Sequence, residues 1–369
     1  MHQSSAVDGP VNPAPDVPAG GTLSGTALDA LLAPELNAAL DEIEGSAPLL
    51  SRMVRYHLGM VDSAGAPLPA SSRIEVQGKR MRPLLTMLGC LAAGGQAEDA
   101  APVAAAVELL HNFSLIHDDI QDRSPNRRHR PTVWRVWGDA QAINAGDALF
   151  AAAHLAVLNT RTDIVPAETV VDLAAEFNRM TIAIVRGQVL DLAFEGRSDI
   201  TPDDYLTMIS GKTAAIVRYA AWAGALVGGA TPDDARNFAD FGLALGIGFQ
   251  IRDDLLGIWG SPEETGKEVA DDIRRRKQTL PILRLRAAAN AEDTAILDNL
   301  YRQERIDEEG VAVVLGLLGK YEIQRQILAE IDAAHEQASS ALSDLASAGT
   351  NEGLQGLAAL IARMRDRLS

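Results

Sequence analysis

Apolar residues recur at helical spacing along most of the chain, from Ala27 almost to the last residue, Ser369. The segment Pro102–His117 is typical, because its apolar positions follow one another at intervals of three and four and so share one helix face. We find no segment that alternates apolar and polar residues as a half-buried strand does, and no repeat of fixed period. The pattern predicts an all-α protein.

Segments rich in proline, glycine or polar residues interrupt this pattern and predict loops. They are Pro67–Pro69, Arg123–Pro131, Gly229–Pro232 and Gly260–Gly266. Thr201 and Thr231 are each followed by Pro-Asp-Asp, which is typical of a helix N-cap with proline in the first turn.

The first 25 residues differ from the rest, since they are rich in turn formers and poor in large apolar groups. We expect residues 1–25 to form a flexible tail and residues 26–369 to form one helical domain. The tail has no basic start and no continuous apolar stretch, so it does not resemble a secretory signal. No run of apolar residues is long enough for a transmembrane segment.

Composition narrows the class of protein further. Hydrophobic residues make up 47% of the chain and aromatic residues only 4%, so the core must consist mainly of Ala, Leu, Val and Ile. The formal net charge is −17 and no basic tract is interleaved with aromatics, which argues against nucleic-acid binding. Cys90 is the single cysteine, which suits a reducing, cytoplasmic location.

A first acidic motif, Asp118-Asp119-Ile-Gln-Asp122, directly follows an apolar helical stretch. Asp118 and Asp122 are four residues apart and share a helix face, where two carboxylates repel unless a cation lies between them. Oxygen ligands of this kind suit Mg²⁺, which takes further ligands from substrate phosphates. Taken alone, a motif of this kind is more often the solvated acidic end of a helix.

A second acidic pair, Asp253-Asp254, also closes an apolar helical stretch, about 130 residues downstream. Two such motifs suggest facing walls of one metal-binding cavity. Cationic segments accompany them in a protein that is otherwise acidic: Gly78–Pro83, Arg127–Arg128, Gly211–Thr213 and Gly266–Lys277. Carboxylates for a metal and guanidinium or ammonium groups for phosphate are what a diphosphate site requires.

In their order and spacing, these motifs resemble those of the trans-prenyltransferases, also called polyprenyl synthetases or isoprenyl diphosphate synthases. The resemblance covers about residues 75–285 and includes GKRMRP, HNFSLIHDDIQD, RGQVLDL, GKT, FQIRDD and GKEVADDIRRRKQTLP. It implies the isoprenoid synthase fold, a single-domain bundle of long helices around a deep central cavity, and usually a homodimer.

The resemblance implies a role for each matching residue. The diphosphate of isopentenyl diphosphate would be held by Lys79, Arg82, His111 and Arg128. The allylic diphosphate would be surrounded by Arg127, Lys212, Thr213, Gln250, Lys267 and Lys277. The metal, Mg²⁺ as three ions in the family, would be bound by Asp118, Asp122 and Asp253, with Asp119 and Asp254 in support. Gln188 and Asp191 would line the reacting centre.

The implied reaction is ionisation, condensation and elimination. Asp118, Asp122, Arg127, Lys212, Gln250 and Asp253 would form the catalytic set that stabilises the leaving diphosphate while the allylic carbon–oxygen bond breaks. The double bond of isopentenyl diphosphate then attacks the carbocation, and loss of a proton gives a product longer by five carbons. The resemblance suggests the departing diphosphate as the base.

The sequence departs from the family pattern at three positions. Gln77 and His129 stand where glycine is usual, and Gly257 replaces the last aspartate of the second motif. We expect His129 to affect its loop. We expect Gly257 to weaken the second motif only modestly, because Asp253 is the implied metal ligand.

Two other functions share this fold. A class I terpene cyclase needs the metal motifs but no second diphosphate site, and a partner subunit of a heteromeric synthase does not need the aspartates. The second basic set favours condensation. Phe113, five residues before Asp118, is a candidate floor of the product cavity, although it could simply be part of the core. With no insertion between Asp119 and Asp122, the arrangement resembles geranylgeranyl diphosphate synthases, with farnesyl diphosphate the next candidate product.

Overall fold

The computed structural model describes residues 23–69, 78, 80–261, 269–346 and 349–365. In these residues the α-helices, numbered in chain order, are α1 (Gly25–Asp41), α2 (Pro48–His57), α3 (Met81–Ala92), α4 (Ala101–Gln121), α5 (Val133–Trp137), α6 (Asp139–Leu158), α7 (Ala167–Phe194), α8 (Pro202–Ile209), α9 (Ala215–Val227), α10 (Pro232–Trp259), α11 (Asp271–Arg274), α12 (Leu280–Ala288), α13 (Ala291–Tyr301), α14 (Glu308–Lys320), α15 (Ile323–Leu345) and α16 (Glu352–Arg365). A 3₁₀ turn, Ala97–Ala100, precedes α4, and a π-helical turn, Ser210–Ala214, joins α8 to α9.

The predicted all-α class is confirmed, with one small exception. Strands β1 (Asn126–Arg127) and β2 (Arg130–Pro131) pair in antiparallel fashion. The expectation of no strand is wrong here, because two-residue strands are too short to show an alternating pattern. Arg128 and His129 form the connecting turn with φ of 49° and 61°, and a positive φ at both residues is what a tight type I′ hairpin turn requires.

The predicted helix starts and breaks are confirmed where the structure describes them. The hydroxyl of Thr201 accepts a hydrogen bond from the backbone N–H of Asp204 at 3.1 Å, and that of Thr231 accepts one from Asp234 at 3.2 Å. Proline at the first helical position needs no N–H partner, so it fits both starts. Residues 1–22 of the predicted tail lie outside the described residues, and α1 begins at Gly25, capped by Ser24.

Two clusters of buried apolar side chains form the interior. Most of the residues of α4 are buried, including Ala104, Ala105 and Ala106 at 0% exposure, and α4 packs against α6 and α3. The small alanine side chains let neighbouring helices approach closely. Helix α10 passes from the first cluster, through Phe241, to the second, through Leu255, and so carries the second acidic motif beside both. None of the described helices has the length and apolar character needed to span a membrane.

Candidate active site

The first acidic motif lies at the carboxyl end of α4, and its three aspartates differ in exposure. Asp119 is buried at 2% exposure, Asp118 is half-buried and Asp122 is exposed. The Arg127 Nε donates to both carboxylate oxygens of Asp119, at 2.9 and 3.0 Å. Asp119 therefore fixes β1 and its arginine, while Asp118 and Asp122 remain at the surface of the site.

Asp118 faces charges from three other elements. Burial raises the pKa of Asp118 to about 6; Lys212 opposes this rise, and the like charge of Asp122 adds to it. Lys212 forms an ion pair with Asp191 of α7. Burial disfavours the ammonium, but Asp191, Asp118 and Asp122 outweigh it and raise the pKa of Lys212. The lysine therefore stays charged between carboxylates.

The π-helical turn places Lys212 because two glycines let its backbone contact α7. A Cβ atom at Gly187 would lie 2.2 Å from the backbone nitrogen of Lys212, and one at Gly211 would lie 2.7 Å from the carbonyl oxygen of Ala183. Any side chain at either position would push the two elements apart. Single π turns inside helices often mark functional positions. The sequence motifs RGQ and GKT are thus two sides of one packing contact.

The second acidic motif has the same division between a buried and an exposed carboxylate. Asp253 is exposed, whereas Asp254 is 4% exposed. Asp254 accepts hydrogen bonds from the Tyr205 hydroxyl, from the backbone N–H of Leu280 at 3.1 Å and from the Gln250 amide at 3.1 Å. The carboxylate thus ties α10 to α8 and α12. Gln250 in turn accepts a 2.8 Å hydrogen bond from the Thr213 hydroxyl.

Arg82, His111 and Arg128, three of the residues predicted to bind isopentenyl diphosphate, lie close together. Burial and then the charges of Arg82 and Arg128 lower the pKa of His111 well below its usual value, so its imidazole is neutral at pH 7. Burial lowers the pKa of Arg82, against Glu108 and Asp253, whose charges favour the guanidinium. Asp253 of α10 is therefore close enough to act on α3, and the second acidic motif faces this basic cluster.

A buried polar pair that was not predicted from the sequence supports this cluster. Glu108, 5% exposed, accepts a 3.0 Å hydrogen bond from Asn112, and it favours the charged forms of both Arg82 and Arg128. The two residues are four apart in an otherwise apolar helix. That spacing was a signal available in the sequence, because a buried carboxylate needs a cationic or hydrogen-bonding partner.

His57 at the end of α2 was also missed. With Arg127, Arg128 and Arg130 it lines one small cavity beside the hairpin. Burial, followed by the charges of Arg127 and Arg128, lowers the pKa of His57 to about 3. Nothing in the sequence around His57 shows that α2 will pack against residues 70 positions away.

The remaining predicted residues are described in part. Lys277 lies 3.6 Å from Asp272, and Gln188 donates a 2.7 Å hydrogen bond to Gln121 at the end of α4. Lys79 and Lys267 lie outside the described residues, as does the departure Gln77. Arg128 and His129 both have a backbone φ in the left-handed region, where the hairpin turn holds them.

Phe113 is half-buried on the face of α4 toward α6. Its ring lies 5.1 Å from the ring of Phe150, and 4.7 Å from that of His117, between ring centroids. Phe150 of α6 is therefore a second large side chain at this level, which the sequence analysis did not identify. Contacts between distant helix faces of this kind have no local signal in the sequence.

The donor set suits Mg²⁺. Asp118 and Asp122 are neighbouring carboxylates whose mutual repulsion a cation would relieve. Among the described residues, no group of three or more histidine, cysteine, aspartate or glutamate side chains is placed to hold an ion by itself. Mg²⁺ is usually bound by one or two carboxylates together with waters and substrate phosphates, so the protein ligands need not form a closed cage.

Comparison with known proteins places the chain in a family. A model of the polyprenyl synthetase family matches residues 68–318. The chain is 43% identical over 252 residues to (2E,6E)-farnesyl diphosphate synthase of Mycobacterium tuberculosis, covering 68% of this chain and 67% of the relative. It is 38% identical over 325 residues to a geranylgeranyl diphosphate synthase of the same species, covering 87% and 88%.

Solved structures give the same result for the fold. Polyprenyl synthetase from Streptomyces coelicolor A3(2) superposes with a TM-score of 0.80 at 33% identity, covering 92% of this chain and 99% of that one. Geranylgeranyl pyrophosphate synthetase from Pyrococcus horikoshii gives a TM-score of 0.78 at 29% identity, covering 91% and 97%. The chain has the all-α isoprenoid synthase fold and belongs to the polyprenyl synthetase family of trans-prenyltransferases.

Proposed function

We propose that this protein is a short-chain prenyl diphosphate synthase that condenses isopentenyl diphosphate with an allylic diphosphate. The observation that carries the proposal is the placement of two cationic groups against two acidic motifs. Lys212 lies among Asp118, Asp122 and Asp191, and Arg82 lies within the electrostatic reach of Asp253. Two diphosphates can thus be held side by side, each by its own basic residues, at the meeting point of α3, α4, α7 and α10.

The residues of the chain divide between the two substrates. Arg82, His111 and Arg128 bind the diphosphate of isopentenyl diphosphate, and Lys79 joins them as a sequence prediction. Lys212, Thr213 and Gln250, with Arg127, Lys277 and the sequence-predicted Lys267, surround the allylic diphosphate. Holding both substrates together turns a bimolecular step into an intramolecular one. The neutral imidazole of His111 can donate a hydrogen bond without adding a further charge.

The acidic residues provide for the metal. Asp118, Asp122 and Asp253 would hold Mg²⁺, three ions by family resemblance, and the metal would neutralise charge that develops on the leaving diphosphate. Lys212 stabilises the same charge directly. As the allylic carbon–oxygen bond breaks, the double bond of isopentenyl diphosphate attacks the resulting cation. The new carbon–carbon bond forms, and a proton leaves toward the departing diphosphate.

The basic cluster distinguishes this function from a terpene cyclase. A cyclase ionises one prenyl diphosphate and has no use for a second diphosphate site. Glu108 and Asn112 are buried beside Arg82 and Arg128, and Glu108 favours the charged form of both arginines. Because burial of a carboxylate costs free energy, we infer that the basic cluster has a function. A non-catalytic partner subunit would have no need for the charged environment of Asp118.

Purified protein with Mg²⁺ and labelled isopentenyl diphosphate should be incubated with each of the C5, C10 and C15 allylic diphosphates. We expect linear prenyl alcohols after phosphatase treatment. Hydrocarbon released from a single C15 or C20 diphosphate without isopentenyl diphosphate would instead identify a cyclase. No turnover of either kind, in a protein that still binds both substrates, would identify a partner subunit.

We propose geranylgeranyl diphosphate as the main product, with farnesyl diphosphate as the second candidate. Phe113 and Phe150 together present two large rings at the side of α4 beneath Asp118. Phe113→Ala should lengthen the products, measured by chromatography of the prenyl alcohols. Phe238→Ala, a truncation in the same apolar core, is the control and should lower stability without changing product length. Unchanged products from Phe113→Ala would leave Phe113 as ordinary core packing.

We also propose that the protein is a homodimer through the outer faces of α6 and α7. Exposed apolar side chains concentrate there: Ile143, Leu155, Leu158, Val171, Ile182, Val185, Val189 and Leu192. A concentration of exposed apolar side chains of this kind is typical of a contact surface. Light scattering should give about twice the chain mass of 39.2 kDa. Ile182→Glu should shift the mass to the monomer, whereas Val313→Glu on α14 should not.

A further inference from the structure

The second acidic motif ends in Gly257, and the structure shows what fills the space of the missing side chain. Gly257 lies four residues after Asp253 on α10, on the same helix face. A Cβ atom built on Gly257 would lie 2.0 Å from Oδ2 and 2.7 Å from Cγ of Asp272. A carboxylate from a different element thus occupies the volume of residue 257.

The segment that brings Asp272 to this place is tightly folded. Ala270 and Arg276 on either side have φ of 58° and 55°, in the left-handed region. The backbone N–H of Lys277 donates a 2.9 Å hydrogen bond to the carbonyl of Asp272, which closes the turn. A left-handed backbone at two non-glycine residues is unfavourable, so the surrounding contacts must stabilise it.

Asp272 is buried at 6% exposure, and its charge acts on Asp254 of the second motif. It is among the groups that raise the pKa of Asp254, after burial of that carboxyl. Among the described residues, the Oδ1 atom of Asp272 makes no hydrogen bond, and its cationic neighbour is the Lys277 ammonium at 3.6 Å. The carboxylate is therefore directed at the lysine that the sequence assigns to the allylic diphosphate.

We propose that Asp272 supplies the carboxylate that the second acidic motif lacks at Gly257, and that it acts as a positioning residue for Lys277. Glycine at 257 is then a requirement, because any larger residue would displace the carboxylate. This inference rests on the proposed function, since it takes Lys277 as part of the allylic diphosphate site. The proposal predicts that the site needs one carboxylate, which either residue 257 or residue 272 can supply.

Four variants test the pair: Asp272→Asn, Asp272→Gly, Gly257→Ala and the exchange Gly257→Asp/Asp272→Gly. Asp272→Asn removes the charge with little change of shape, and Gly257→Ala displaces the carboxylate without removing it. Gly316→Ala is the matched control, because that helical glycine has open space around it. The readouts are the Kd of inorganic diphosphate with Mg²⁺ by calorimetry, the KM of each substrate, kcat and the melting temperature.

We expect both Asp272 variants and Gly257→Ala to raise the diphosphate Kd and the KM of the allylic substrate about tenfold, typical of losing a group that orients a ligand contact. The KM of isopentenyl diphosphate should stay within about twofold, and the exchange should recover most of the loss relative to Asp272→Gly. An unchanged Kd in Asp272→Asn, or an exchange variant no better than Asp272→Gly, would overturn the inference.

Failure of the proposed pairing of residues 257 and 272 can be distinguished from failure of the proposed function. If the unaltered protein forms no linear prenyl product, the proposed function fails, whatever the variants do. If the unaltered protein is active and the variants bind diphosphate as it does, only the pairing of residues 257 and 272 fails. If Asp272→Asn does not fold, two variants still test the pairing of residues 257 and 272. They are Gly257→Ala, which retains the carboxylate, and the exchange variant.

Discussion

The two acidic motifs are Asp118–Asp122 at the end of α4 and Asp253–Gly257 on α10. They are similar in sequence, and in both the first and second aspartates differ in burial. In each, the second aspartate is buried and holds structure: Asp119 fixes Arg127, and Asp254 ties α10 to Tyr205 and Leu280. In each, the first aspartate faces the site. In each pair, therefore, one carboxylate maintains the fold, and we propose that the other serves the ligand.

The motifs differ in the hydrogen-bond partners of the buried aspartate. Asp119 has a charged partner, the Arg127 guanidinium, whereas Asp254 has neutral donors, a phenol, an amide and a backbone N–H. They differ also at the fifth position, where the first motif has Asp122 and the second has Gly257. Asp119 is paired within the hairpin that follows its own helix, whereas Asp254 is held between α8, α10 and α12.

The largest effect that this comparison predicts is on activity, from the first aspartate of the first motif. Asp118→Asn should lower kcat/KM by about a hundredfold or more, because it removes a carboxylate from the metal site. It should not lower stability, since burial already opposes the charge of Asp118. Steady-state kinetics and a thermal melt at saturating Mg²⁺ measure the two. Asp41→Asn, an exposed aspartate on α1, is the control. A strong loss of stability in Asp118→Asn would contradict the division of roles.

The second motif should show the reverse effect at its second aspartate. Asp254→Ala leaves the Tyr205 hydroxyl and the Leu280 N–H buried without an acceptor, so we expect the free energy of unfolding to fall by about 3 kcal/mol. Urea denaturation measures this loss. Asp253→Ala is the neighbouring control and should keep its stability while losing activity. Equal stabilities of the two variants would show that Asp254 is not the structural member of the pair.

The smallest effect concerns His57, beside the hairpin that the first motif fixes. Its pKa falls from the usual 6.5 to about 3 on folding, so the unfolded chain binds a proton that the folded chain does not. Stability is therefore present above pH 6.5 and is lost as the pH falls. Between pH 7.5 and 5.5 this loss amounts to about 1.4 kcal/mol for His57.

The test compares the change in unfolding free energy between those two pH values. His57→Asn should show a smaller change than the unaltered protein, and His129→Asn is the control for the removal of an exposed imidazole. Asparagine is suited to the left-handed backbone at residue 129, so this control should retain the turn. The same pH dependence in His57→Asn as in the unaltered protein would mean that His57 titrates normally.

Much of the fold was predictable, because it depends on local patterns. Helical periodicity indicated the all-α class, and Thr-Pro-Asp-Asp marked the starts of α8 and α10. The hairpin at residues 126–131 escaped prediction, since its strands are only two residues long. The predicted tail and single-domain division remain predictions, because the described residues begin at residue 23.

The site was predictable in its chemistry more than in its contacts. Spacing and residue type pointed to Asp118, Lys212 and Arg128. They did not reveal His57 or Asp272, because each meets the site through a contact between segments far apart in the chain.

By itself, the sequence determined the helical class, the family and the chemical character of the site, since these depend on periodicity and on ordered motifs that are local in the chain. The tertiary structure decided which aspartate of each pair is buried and which carboxylate stands in for the one missing at Gly257. The physical reason is that burial and charge pairing depend on distances between helices. Such distances depend on how closely the helices pack, as Gly187 and Gly211 illustrate between α7 and the π-helical turn, and adjacent aspartates are chemically identical until packing separates them.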